Sequence, residues 1–160
     1  MLYDFICEDN IADFREDLIT TMHLIGRKYP DCGYGGHFLM WILRNKREPY
    51  NSFGNGSAMR VSSVGWYART LEEAELIAKV TAEVSHNHPE GIKGAVATAG
   101  AVFLARTGAT MDEIKKYISK YYTIDFTICI LVFVISKWNN IIFRLYIPQT
   151  FITNPDKLCS

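Results

Sequence analysis

The chain has 160 residues, 17 Lys plus Arg against 17 Asp plus Glu, and 49% apolar residues, enough for one domain with a buried core. A formal net charge of zero removes any general electrostatic case for nucleic acid or an anionic membrane as partner. An anion site must therefore be local, made of backbone N–H groups, a helix N-terminus or a few side chains.

Cys7, Cys32, Cys129 and Cys159 lie far apart with no Cys-x-x-Cys pair, which disfavours a zinc site and suits free thiols in a reducing, cytoplasmic compartment. The opening Met-Leu-Tyr-Asp-Phe-Ile-Cys-Glu-Asp lacks a basic n-region, so no signal peptide is expected. From there to about residue 122 the pattern is helix after helix. Ile11, Phe14, Leu18, Met22 and Ile25 recur at three- and four-residue spacing, one apolar stripe on a helix. Asp9 or Asn10 is placed to cap it, and Tyr29-Pro30 ends it, because the residue before proline disfavours the helical region. Asp31 to Gly36 reads as a turn-rich loop and His37 to Leu43 as a short helix with Phe38 and Trp41 on one side. A helix is predicted over 58–67. Thr70-Leu-Glu-Glu73 is a capping-box pattern, in which the threonine hydroxyl accepts a free backbone N–H and the glutamate reaches back. It opens a helix through Leu71, Ala74, Ile77, Ala78, Thr81 and Val84. Pro89 suits the first turn of the next helix, whose Gly94, Ala95, Ala97, Ala99, Gly100 and Ala101 let neighbours pack close, and Arg106-Thr107-Gly108 ends it. Thr110-Met-Asp-Glu113 is a second capping box, opening a helix to about Tyr121.

Beyond residue 125 the character changes. Phe126 to Ser136 is β-branched and nearly uncharged, Lys137-Trp138-Asn139-Asn140 interrupts it, and Ile141 to Ile147 resumes the apolar run. A first run of about eleven residues falls short of the roughly 20 needed to span a bilayer. A buried strand pair and an apolar segment foreign to the fold both fit.

Two segments carry candidate chemistry. In Asn51-Ser52-Phe53-Gly54-Asn55-Gly56-Ser57, glycines let backbone N–H groups approach a phosphate, Ser and Asn can bond ribose hydroxyls, and Phe53 can pack on a sugar or base. An ordinary Asn-Gly turn between helices fits the same residues. In His86-Asn87-His88-Pro89-Glu90, His-x-His can ligate a metal, with Cys32 or Glu90 as further ligands. Alternatively, His86 donates to a ligand phosphate or ribose while His88 caps the helix begun by Pro89, or both are partly exposed histidines at a helix junction. Glu48, Glu72, Glu73, Glu83, Glu90, Asp112 and Glu113 fall at caps or on polar faces and read as solvated.

Taken together, Gly33-Tyr-Gly-Gly36 with Phe38 and Trp41, then Tyr50-Asn-Ser-Phe-Gly-Asn-Gly-Ser-Ala-Met-Arg-Val61, then Ser85-His-Asn-His-Pro-Glu-Gly-Ile-Lys-Gly94 resemble the ADP-ribosylglycohydrolase family over roughly residues 10–125. The resemblance implies an all-α, compact helical bundle that uses two magnesium ions to hydrolyse the bond joining ADP-ribose to a side chain. It implies that Asn51, Ser52 and Phe53 line the ADP-ribose cleft, that Gly54, Asn55, Gly56 and Ser57 shape the loop near the diphosphate and ribose, and that His86 contacts the ligand. Met59 and Arg60 would hold loop and helix in place.

The chain also departs from the family pattern. The Thr-Asp-Asp and Asp-x-Asp-Thr segments that supply the family's metal ligands are not matched; Glu8-Asp9 does not replace the first, and only Asp156 remains after residue 125. Residues 126–160 thus read as a divergent apolar tail on a partial domain over 1–125, of the kind a frameshift, a retained intron or a truncated gene model produces. Magnesium demands several hard oxygen ligands, so neither ion is expected to bind, no catalytic residue is assigned, and the chain is expected to be inactive or incomplete as a hydrolase. ADP-ribose or an ADP-ribosylated protein is the expected partner. A non-catalytic ADP-ribose-binding or crystallin-like structural protein is the alternative, and membrane association of the tail a weaker one.

Overall fold

A computed structural model describes residues 11–122. These form seven helices, α1 (Ile11–Lys28), α2 (Gly36–Leu43), α3 (Gly56–Arg60), α4 (Ser62–Tyr67), α5 (Leu71–Glu83), α6 (Pro89–Arg106) and α7 (Met111–Ile118). No strand occurs among the described residues, in keeping with the all-α expectation. The capping positions Asp9 and Asn10, the apolar runs of 126–147 and three of the four cysteines lie outside the described residues. The described helices include none long and apolar enough to cross a membrane.

Helix α6 is the hub: α3, α4, α5 and α7 all pack against it. Its sequence explains this. Ala95, Ala99 and Ala101 are completely buried, with Gly91, Ala97 and Gly100 buried beside them, so small residues on several faces let four neighbours approach the backbone. Two glycines make the closest approaches. A Cβ on Gly65 of α4 would meet Ala99 O at 2.5 Å and Val102 Cβ at 2.7 Å, and a Cβ on Gly100 would collide with the Tyr117 ring of α7. Val61, Ala78, Ala82, Ala95 and Ala99 form the core between α3–α4, α5 and α6.

A second core joins α1 to α2. Its fully buried members on α1 are Ile19, His23 and Gly26, one position round from the predicted stripe, whose Leu18 and Met22 pack at its edge. The shift follows from Gly26, whose bare Cα admits the Ile42 side chain and so draws α2 onto that face. Trp41 is buried between His23, whose ring meets it edge-on at 4.3 Å, and Phe38, stacked at 5.8 Å; its indole N–H donates to Glu48 O at 2.9 Å.

Three further expectations are corrected. The helix predicted over 58–67 is two helices broken at Val61, where Val64 N–H bonds Val61 O rather than a carbonyl four residues back. Ser57 and Gly65 both dock on α6, and the break lets each find its place. At Thr70 the hydroxyl accepts Glu73 N–H at 3.1 Å as expected, but the Glu73 carboxylate reaches one residue further, to Arg69 N–H at 2.8 Å. Glu73 is 2% exposed, a buried cap rather than the solvated acid its helix position suggested. Helix α7 ends at Ile118 rather than near Tyr121, closing in a turn where Tyr121 and Tyr122 N–H both bond Ile118 O. The second capping box forms as read, with Thr110 and Glu113 exchanging bonds.

Candidate functional site

The 50–57 loop crosses the start of α6. Tyr50 anchors its beginning: its N–H donates to Ser85 O at 3.2 Å, and its ring lies between Trp41 (6.4 Å) and His86 (5.6 Å). Asn51 takes φ +52, a left-handed backbone that asparagine tolerates, and its N–H donates to Asn87 Oδ1 at 2.8 Å. Ser52 Oγ accepts Gly54 N–H at 3.2 Å, a local turn. Phe53 is 76% exposed and meets only the edge of His88, 5.7 Å away, among the ring contacts it makes. Ser57 is buried and its Oγ donates to Gly91 O at 2.8 Å. That bond ties α3 to α6.

The support beneath the loop is Arg60–Ser85–His86. Arg60 donates to Thr81 O at 2.9 Å and to Ser85 Oγ at 2.8 Å. The residue is half-buried, but its Nε is sealed from solvent without a partner, and burial lowers its pKa to about 10. Ser85 Oγ, which accepts from Arg60, also shares a hydrogen bond with His86 Nδ1, 2.9 Å away, in a direction set by the imidazole tautomer. The other ring nitrogen, Nε2, faces Gly56 closely enough that a Cβ there would stand 2.9 Å from it. His86 is 4% exposed, so the partly exposed alternative fails for it. His88 is the N-cap of α6, its Nδ1 accepting Glu90 N–H at 3.1 Å. Arg60 has the holding role expected of it, whereas the Met59 side chain is 69% exposed.

Burial first, and then the Arg60 charge, lower the His86 pKa to about 4. The folded value lies below the ordinary 6.5, so the unfolded chain takes the proton first as pH falls. Stability is then fully present above pH 6.5 and declines toward pH 4, by at most about 3 kcal/mol from this group. His23, lowered by burial as well, acts with the same sign. Urea unfolding at pH 7.5 and 4.5 checks this: His86→Gln should flatten the dependence, and an unchanged slope would refute the assignment.

Between the loop and α6 lies a cleft of about 300 Å³. Phe53, Gly54, Asn55, Ser57 and Ala58 form one wall; Glu90, Gly91, Gly94, Ala97 and Thr98 of α6 form the floor; Ile118 and Tyr122 form the far wall. Of the residues singled out from sequence, Phe53, Gly54, Asn55 and Ser57 are on the lining, while Asn51, Ser52, Gly56 and His86 lie in the layer that supports it. The floor was legible only as packing: Gly91, Gly94 and Ala97 recur every three residues, a smooth helix face that serves a ligand as readily as a helix. Gly91 has a second task, because a Cβ there would stand 2.7 Å from Ser52 O and 3.0 Å from His86 O.

Among the described residues the cleft holds one carboxylate, Glu90, which receives Lys93 Nζ at 2.6 Å. Among the described residues no three His, Cys, Asp or Glu side chains group closely enough to hold a metal ion, and the Nδ1 atoms of His86 and His88 are already engaged. Two magnesium ions need several carboxylate oxygens, and the described residues do not fit such a centre.

The chain is 29% identical over 114 residues to "ADP-ribosylhydrolase ARH3" of Mus musculus, covering 61% of this chain and 31% of the relative. The Homo sapiens protein of the same name is 27% identical over 114 residues with the same coverage, and that of Gallus gallus 37% identical over 62 residues, 39% of this chain and 17% of the relative. The chain thus spans under a third of the length of these relatives. No solved structure matches it. The sequence model of the family described as ADP-ribosylglycohydrolase matches residues 4–141, through the 50–61 and 85–94 segments and across the change of character at residue 126; the chain belongs to the ADP-ribosylglycohydrolase family.

Proposed function

We propose that the cleft binds the ADP-ribose group of a modified protein, and that the chain is the ligand-binding part of a hydrolase that removes it. The observation that carries this is the joining of a glycine-bearing loop, an exposed phenylalanine at the rim and a smooth helical floor into one cleft. Gly54 and Asn55 bring backbone to the cavity, Phe53 offers a flat apolar face for a planar ring, and the first turn of α6, an 18-residue helix, presents its positive end to a diphosphate. Family membership and the names of the relatives favour the same ligand. Residues 1–125 form the functional unit in this proposal, and the exposed thiol of Cys32 suits the cytoplasm.

The same geometry favours binding without turnover. Among the described residues the cleft has one carboxylate, already paired, where polarising the ribosyl bond through a dinuclear centre takes several. A non-catalytic ADP-ribose-binding protein is therefore the second reading. Calorimetric titration of the full chain with ADP-ribose, with and without magnesium, tests both. The expected result is saturable binding of equal strength in the two conditions. Absence of binding in either would sink the cleft assignment, and magnesium-dependent release of ADP-ribose from a modified protein would overturn the non-catalytic part.

A further inference from the structure

The far wall of the cleft depends on a segment that cannot hold itself in place. Helix α7 has eight residues, too few to persist alone in water. Its first turn is fixed by the Thr110–Glu113 capping box, but the cleft is lined by its last turn. There, Tyr117 and Tyr121 both donate to the same oxygen of Glu75 on α5, at 2.9 and 3.1 Å. Val96 O stands 3.3 Å from the Tyr117 hydroxyl as a longer alternative. The two rings meet edge-on at 5.4 Å, and the Tyr117 ring fills the space that Gly100 leaves open on α6. The turn that follows α7 holds Tyr121 and Tyr122 N–H on Ile118 O, which ties the placement of Ile118 and Tyr122 to that of Tyr117 and Tyr121. Fixing Tyr117 and Tyr121 against Glu75 therefore fixes where Ile118 and Tyr122 point, which is into the cleft.

We propose that Glu75 is a positioning residue, a carboxylate clasp on two phenols that sets the rotation of residues 117–122 and so builds the far wall of the cleft. The proposal rests on the assignment of that cleft to ADP-ribose. A carboxylate is the suitable acceptor, because one ionised oxygen takes two O–H donors with charge-assisted strength. Both phenols titrate above their ordinary value, chiefly through burial, and so keep their protons across the working range. Glu75 itself does not line the cleft, so its effect on a ligand passes through α7.

The test uses the full chain with Glu75→Leu, Glu75→Gln and Tyr121→Phe, read by hydrogen exchange and by ADP-ribose titration. Glu75→Leu should speed exchange of the 117–122 amides about tenfold with residues 11–43 unchanged, and weaken ADP-ribose binding about tenfold, the loss of two hydrogen bonds. Glu75→Gln keeps an acceptor carbonyl and should stay within about threefold of the parent. Tyr121→Phe removes one donor and should fall between. Unchanged exchange at 117–122, or faster exchange spread evenly along the chain, would overturn the clasp; parent-like binding in Glu75→Leu would overturn its positioning role. If the parent chain binds no ADP-ribose while Glu75→Leu still frees 117–122 alone, the clasp stands and the ligand assignment falls.

Discussion

Replacing Arg60 by alanine is expected to lower the stability of the chain by about 3 kcal/mol and to abolish measurable ADP-ribose binding. The guanidinium donates to Thr81 O and Ser85 Oγ, and truncation leaves both acceptors without that donor in a site closed to water. It also empties the space of a long side chain between α3 and α5. The larger consequence is on the site. Ser85 Oγ is held by Arg60 on one side and His86 Nδ1 on the other; without Arg60 the hydroxyl is free to rotate, and the imidazole beside Gly56 loses a fixed partner. Both bonds come from one nitrogen, Nη2, so Arg60→Lys keeps a charged donor on a shorter side chain and should recover only part of the stability. Urea denaturation followed by circular dichroism measures the first effect, and a loss under about 0.5 kcal/mol, the range of ordinary surface substitutions, would show that the arginine is not structural.

The second large effect is expected at Gly91. An alanine there places its methyl 2.7 Å from Ser52 O and 3.0 Å from His86 O. Both are backbone atoms, so no rotamer relieves the clash and the 50–57 loop must lift from α6. A cost of about 2–3 kcal/mol follows from overpacking, with loss of ADP-ribose binding because the loop is one wall of the cleft. Gly94 supplies the control. A methyl there would find only ordinary contacts, Tyr122 Oη at 3.5 Å and Ala58 Cβ at 3.8 Å. Gly94→Ala should therefore keep or raise stability, by up to about 1 kcal/mol from helix propensity, while weakening binding by intruding on the floor. Equal melting temperatures for the two variants would contradict this division of labour.

Most of the helical architecture was legible because its signals are local. Pro30 ends α1, Thr110 with Glu113 opens α7, and Pro89 with the His88 cap opens α6, each by chemistry contained within a few residues. What escaped depends on partners distant in sequence. The register of α1 turns on Gly26 receiving Ile42, the break at Val61 on two docking points against α6, and the burial of Glu73 on the helices around it. The site divides the same way. The glycine-bearing loop could be read because Gly54-Asn55-Gly56 is a turn signal in itself. Ile118 and Tyr122 could not, because nothing near them in sequence marks a cleft wall. The link from Arg60 through Ser85 to His86 spans about two helices and appears only once they are folded.

The central place of α6 has a consequence for how the protein is made. Helices α3, α4 and α5 bury their apolar faces on a helix that follows all of them in the chain. Synthesis runs from the N-terminus at about 5–20 residues per second, so those faces leave the ribosome before their partner exists. For the seconds it takes to complete and release residues 89–106, the nascent chain presents apolar surface with no native place to put it. The hub that unifies the finished fold thus makes the closing of this core a late step, since three helices wait for the one that follows them.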